Sequence, residues 1–171
     1  MIGPHETRFG GGGDSFLRKL KKLSQECGGQ VEWLGPIFNE AELSAQYRAA
    51  LIFVYPSLAE RGEALPIAPL EAGANGCAPL VSDLACFSDY VRDGITGFVF
   101  DHRGVLGECN LARRLTDLLG LNVFDIAKIG AAARTRAEQF AVETVAPRYL
   151  DDFAGLLAQR RGSVRKSKYS G

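Results

Sequence analysis

The chain has 171 residues, 46% of them hydrophobic and 23% charged, which is the size and composition of one ordinary domain able to bury a single sizeable core. Its 20 basic residues balance its 20 acidic ones, so nothing in the charge points to a nucleic-acid or membrane-surface protein. No segment approaches the ~18 continuous apolar residues of a membrane span, and the N-terminus lacks a signal-peptide pattern, so the expected compartment is the cytoplasm.

Met1 to Gly3 read as the tail of a strand whose beginning lies outside the chain. The following HETRFGGGGD is a glycine-rich loop. No Lys-Ser/Thr follows its four glycines, which leaves a flexible connector ahead of a phosphate loop. Asp14 is expected to cap a helix running to about Cys27, with Phe16, Leu20 and Leu23 along one face and Gly28-Gly29 at its end. Val31, Trp33 and Leu34 suggest a short strand stopping at Gly35-Pro36. Asn39 and Glu42 stand at capping-box spacing and open a second helix, with Leu43 and Tyr47 turned inward.

Leu51 to Tyr55 is a continuous apolar run, as expected of a parallel strand covered on both faces. A loop follows, then a helix near Ala68 to Asn75, in whose first turn Pro69 is tolerated and Glu71 is placed. Ala78 to Ser82 and Thr96 to Phe100 read as further strands, separated by a short helical turn and the Asp93-Gly94 turn. Leu111, Leu115 and Leu118 mark the next helix, Phe124 to Phe140 another, and a last one begins near Pro147 and carries Tyr149, Phe153 and Leu157. The alternation predicts an α/β fold: a doubly wound, Rossmann-like parallel sheet with helices on both faces, incomplete at its N-terminal edge, and with C-terminal helices. The expected domain spans 1–160, with 161–171 a basic disordered tail that is either solvated or touches an acidic partner.

Cys27, Cys77, Cys86 and Cys109 form no Cys-x-x-Cys pair, and no histidine stands at ligand spacing, so reduced, mostly buried thiols are expected and no metal. The chemistry is expected around the loop after Tyr55, because open parallel sheets bind ligands at the carboxyl ends of their strands, where helix N-termini offer free N–H groups. Two carboxylates flank it. Glu71 lies near a helix start whose cap position, taken as Ala68, has no side-chain oxygen, and Glu63 is either a site residue or a loop carboxylate paired with Arg61.

The stretch PSLAERGEALPIAPLEAGANGCAPLVSD, followed by YVRDGITGFVFD, resembles the carboxyl-terminal, donor-binding domain of the family 4 retaining glycosyltransferases, which have the GT-B fold. The diagnostic part is a glutamate, seven residues and a second glutamate beginning Glu-Ala, met by Glu63 and Glu71-Ala72. The resemblance covers nearly all of the chain except the basic tail. It implies hexosyl transfer from a nucleotide-sugar donor with retention and without a metal. Glu71 would take the ribose hydroxyls, and Glu63, as the catalytic residue, the donor sugar near its reacting carbon. The N–H groups of Ile67 and Ala68 would face the diphosphate, Leu65 would also bind the donor, and Gly35 would border the base. Where the family usually has glycine three residues after the first glutamate, this chain has Pro66, and Gly73 replaces a larger residue in the helix. Close packing onto the sheet is the expected compensation for Gly73.

The family's amino-terminal domain, with the acceptor site, and the first strand and helix of its carboxyl-terminal domain have no counterpart here. The chain is therefore expected to be a truncated portion, inactive alone and requiring a separate chain or self-associating through the uncovered sheet edge. The alternative is a non-catalytic nucleotide-binding or interaction module. A dinucleotide-dependent oxidoreductase is disfavoured, since no Gly-x-Gly-x-x-Gly follows a strand.

Overall fold

The computed structural model describes residues 1–26, 28, 30–62 and 64–167, the last seven by their backbone alone. Cys27 and Glu63 lie outside the described residues. By internal contacts the chain divides into two compact units, Met1–Gln46 and Tyr47–Gly171.

In the first unit a 3-10 turn, Thr7–Phe9, precedes helix α1, Gly13–Glu26. Asp14 lies inside the first turn of α1, where its Oδ1 pairs with His5 Nε2 at 3.0 Å, so it meets the positive end of the helix from within rather than as the cap. Phe16 and Leu23, expected on one face with Leu20, are exposed; Gly13, Leu17, Leu20 and Ser24 are the half-buried residues of α1. The strand expected at residues 31–34 does not form. Backbone pairing there consists of a parallel bridge between Ile2 and Gly35, with Gly3 N–H donating to Gly35 O, Leu34 N–H to Met1 O and the Met1 ammonium to Glu32 O. One bridge cannot propagate a ladder, and Val31 and Leu34 stay exposed.

Helix α2, Glu40–Ala49, starts on the Asn39 half of the expected capping box: Glu42 N–H donates to Asn39 Oδ1 at 3.0 Å and Leu43 N–H to Asn39 O at 2.9 Å. Leu43 is half-buried and Tyr47 is buried.

The second unit is built on a parallel sheet in the order β1-β2-β3, with β1 at Ile52–Tyr55, β2 at Ala78–Ser82 and β3 at Phe98–Phe100. Helix α3, Ile67–Ala74, connects β1 to β2. The β2–β3 connection holds only a 3-10 turn, Ala85–Phe87. Strand β3 is shorter than expected because Thr96 Oγ1 closes a turn, accepting from Arg92 N–H and donating to Tyr90 O, instead of extending the ladder. Helices α4, Gly107–Leu119, and α5, Val123–Ala137, follow, and α6 runs from Val142 to Ser167.

Every residue of β2 is buried, and the period-two rule sends neighbours to opposite faces. Leu80 packs with Phe98, Phe100, Leu118 and Ile126, while Val81 packs with Leu84, Phe87, Tyr90 and Val91. Strand β1 is half-buried throughout, less covered than its apolar run predicts, and Leu51 before it is exposed.

Helix α6 begins five residues before Pro147, which sits within it, and its Tyr149, Phe153 and Leu157 are exposed rather than turned to a core. Its backbone is helical seven residues past 160, into the stretch read from sequence as a disordered tail; residues 168–171 lie outside the described residues. Of the cysteines expected to be mostly buried, Cys77 is buried, Cys86 half-buried and Cys109, on α4, exposed.

Candidate functional site

The carboxyl ends of the three parallel strands gather the segments that sequence reasoning singled out, apart from Gly35. That glycine belongs to the first unit, where a φ of +69° explains its identity. In the second unit the loop from Pro56 to Pro66 leaves β1 and is fixed to its surroundings at several points. Near its start, the buried Ser82 Oγ, at the end of β2, donates to Ser57 O at 2.6 Å. At its end, the Tyr90 hydroxyl donates to Pro66 O at 2.9 Å.

Pro66 is the N-cap of α3 in extended conformation (φ −63°, ψ 119°), so the helix starts at Ile67, one residue earlier than Pro69 alone suggests. The consequence is a selective loss of donors. Of the backbone N–H groups at a helix start that lack an intrahelical acceptor, those of Pro66 and Pro69 are missing, which leaves the adjacent Ile67 and Ala68 with no side-chain cap competing for them. Ile67 and Leu65 are exposed and Ala68 is half-buried. This pair of N–H groups at the positive end of α3 is arranged to meet an anion.

Glu71 is the fifth residue of α3, not part of its first turn, and is exposed. The Tyr47 hydroxyl lies 3.5 Å from Glu71 Oε2, at the outer limit of a hydrogen bond. Burial, and next the Glu71 charge, push the Tyr47 phenol up to about 12, so it remains a donor to the carboxylate. Helix α3 approaches α5 rather than the sheet at Gly73: a Cβ there would touch the Ala133 Cβ at 3.4 Å. Gly73 thus faces α5 and not the strands, at a distance where a Cβ would make ordinary van der Waals contact. Glu63, the proposed sugar contact, lies outside the described residues, so the second unit brings together Leu65, Ile67, Ala68 and Glu71 of the expected set.

Sequence reasoning missed a charged cluster at the same end of the sheet. His102 follows β3 with its side chain 4% exposed, and its Nε2 is 2.9 Å from Glu60 Oε1 on the loop. Arg103 Nε is 3.2 Å from the same oxygen, and Arg103 donates at 2.7 Å to both Asp83 Oδ2 and Asp83 O, just beyond β2. The bond to Asp83 raises the Arg103 pKa. The available signal was the run Asp101-His102-Arg103 placed directly after an apolar strand, matching Asp83 directly after β2.

Comparison with known proteins accords with this architecture. The profile described as "Glycosyl transferases group 1" matches residues 8–122. The D-inositol 3-phosphate glycosyltransferase of Streptomyces avermitilis is 29% identical over 160 residues, covering 91% of this chain and 33% of that protein. The enzyme of the same name from Streptomyces scabiei is 30% identical over 161 residues, covering 91% and 34%. The chain thus spans about a third of the length of the curated relatives it matches. Among solved structures, Anabaena HepE in complex with UDP and glucose superimposes with a TM-score of 0.72 at 18% identity, over 90% of this chain and 39% of that one. Sucrose-phosphate synthase from Thermosynechococcus elongatus gives 0.74 at 23%, over 92% and 38%. These two likenesses bear on the fold. The chain belongs to the glycosyl transferases group 1 family and has its GT-B fold.

Proposed function

We propose that this chain is the donor-binding portion of a family 4 retaining glycosyltransferase, in which residues 1–160 form a nucleotide-sugar-binding domain. The observation that carries the reading is the exposed N-terminal turn of α3 at the carboxyl end of the sheet, offering the Ile67 and Ala68 N–H groups with the Glu71 carboxylate one turn further on. The N–H pair suits the donor diphosphate, whose charge grows as the sugar leaves, and preorganised dipoles stabilise such charge without reorganisation. Glu71, braced by Tyr47, accepts from the two ribose hydroxyls. Glu63 contacts the donor sugar, and Leu65 binds the donor beside it. No metal is required, because the leaving group is met by backbone donors.

The relatives are about three times as long as this chain, and transfer needs an acceptor site and a water-excluding cleft, so we assign catalysis to an assembly with further protein and not to this portion alone. The cytoplasm is the proposed compartment; no helix among the described residues is long and apolar enough to cross a membrane.

Calorimetric titration with UDP and UDP-glucose is the direct test, with binding in the micromolar to low millimolar range expected. No binding of either at millimolar ligand overturns the reading. A second reading, an interaction module without catalysis, draws on the apolar residues exposed along α6, Tyr149, Leu150, Phe153, Leu156 and Leu157. It predicts association with another chain or with itself in sizing experiments and no response to the nucleotides.

A further inference from the structure

The Glu60–His102 contact is an unusual use of a buried imidazole. His102 is almost fully enclosed, yet its Nδ1 has no hydrogen-bond partner among the described residues, so the polar anchorage of the ring is the contact from Nε2 to a carboxylate on an exposed loop. A buried polar side chain left half-satisfied costs stability that an apolar ring of similar size would not. The arrangement is poor as core packing and effective as a fixed point. The backbone of His102 is held from two sides. Strand β3, which ends two residues before it, is in register with β2, with Ser82 opposite Phe100. Gly107, at the start of α4, lies so close that a Cβ there would overlap the His102 carbonyl oxygen. The ring is thus tied to the sheet and the carboxylate to the loop.

We propose that His102 is a positioning residue for the donor loop: through Glu60 it fixes the middle of the Pro56–Pro66 segment, and with it the reach of the loop toward the sugar half of the nucleotide-sugar. This rests on the donor-site reading above for what the loop contacts. Ser82 and Tyr90 hold the two ends of the segment through its own carbonyls, at Ser57 and Pro66, and Glu60 is the anchor between them. It stands three residues before Glu63 in the chain. Arg103 reinforces the grip on the same oxygen while being held by Asp83. That ion pair is half-exposed on both sides, and exposed pairs contribute little, so the enclosed imidazole dominates. A carboxylate oxygen can only accept, so Nε2–H donates to Glu60 Oε1.

The test uses the full chain and two readouts. In His102→Phe, which fills the same space without a donor, backbone amides between residues 57 and 65 are expected to exchange about tenfold faster, with those of β2 unchanged. Affinity for UDP-glucose is expected to fall about five- to tenfold while that for UDP changes less than about twofold, because only the sugar contact depends on the loop. His102→Gln, which keeps an N–H near the place of Nε2, restores most of both. A purely structural role would weaken the two ligands equally and would not separate Phe from Gln. Equal losses, or unchanged loop exchange in His102→Phe, overturn the proposal. Should that variant fail to fold, Glu60→Ala, at an exposed loop position, takes its place: faster loop exchange with a selective loss of UDP-glucose supports the proposal, and equal losses or unchanged exchange overturn it. If the unmodified chain binds neither UDP nor UDP-glucose, the donor-site reading fails on its own, and the exchange comparison still decides whether His102 holds the loop.

Discussion

Helix α1 and strand β2 are both well-patterned apolar stretches, and they end at opposite extremes. The helix buries none of its residues, whereas all five of the strand are enclosed. The difference lies in what surrounds them within their own units. Strand β2 has a hydrogen-bonded neighbour on each side and a side-chain cluster on each face. The first unit offers α1 a 3-10 turn, a single parallel bridge and a cleft of about 500 Å³ lined by Phe16, Leu17, Leu20 and Trp33 among others. Periodicity sets which residues of an element share a face; partners decide whether that face leaves water.

Four experiments press on this contrast. Leu80→Ala removes a fully buried side chain from the middle of β2, and a loss of about 2–5 kcal/mol in denaturant unfolding is expected. Gly130→Ala comes next: its Cβ would overlap the Gly76 carbonyl oxygen, and forced separation of α5 from the turn before β2 is expected to cost about 1–3 kcal/mol in the same measurement. The third is an alkaline titration. The Tyr47 phenol is raised from 10.0 to about 12 and the Cys77 thiol, chiefly by burial, from 9.0 to about 11. Between those values the unfolded chain has lost protons that the folded chain keeps, so stability is full below pH 9 and falls as pH rises toward 12. Tyr47→Phe should flatten the part of the decline between pH 10 and 12 while leaving the earlier part, and an unchanged slope there counts against burial of that phenol. The smallest effect belongs to α1, where Leu23→Ala, at an exposed position, should shift stability by no more than about 0.5 kcal/mol. A loss comparable to that of Leu80→Ala would show that α1 has a covering partner after all.

Signals confined to a few neighbouring residues were legible in the sequence. The Asn39–Glu42 cap and the limits of β2 stand where spacing and the apolar run put them, because a cap is a bond between residues three apart and a strand covered on both faces needs no alternation. Signals that depend on a partner were not. Residues 31–34 have strand composition but little to pair with, and Pro147 resembles a helix start although α6 already runs from Val142. At the candidate site, Glu71, Ile67 and Ala68 lie near one another in the chain and are legible together, whereas Glu60 and His102 are 42 residues apart and meet only because β1, β2 and β3 are parallel neighbours in register. Pro66 stands out in the sequence, but its effect, selecting which two amides remain, follows only from its place as the cap of the helix.

The contact of Gly73 with Ala133 has a mechanical consequence. At that point the two helices meet through a hydrogen and a methyl group, neither of which can take up a displacement by changing rotamer. A displacement of α3 at Gly73 is therefore expected to be felt by α5, and the exposed Phe124 at the far end of α5 is a place to attach a reporter of it.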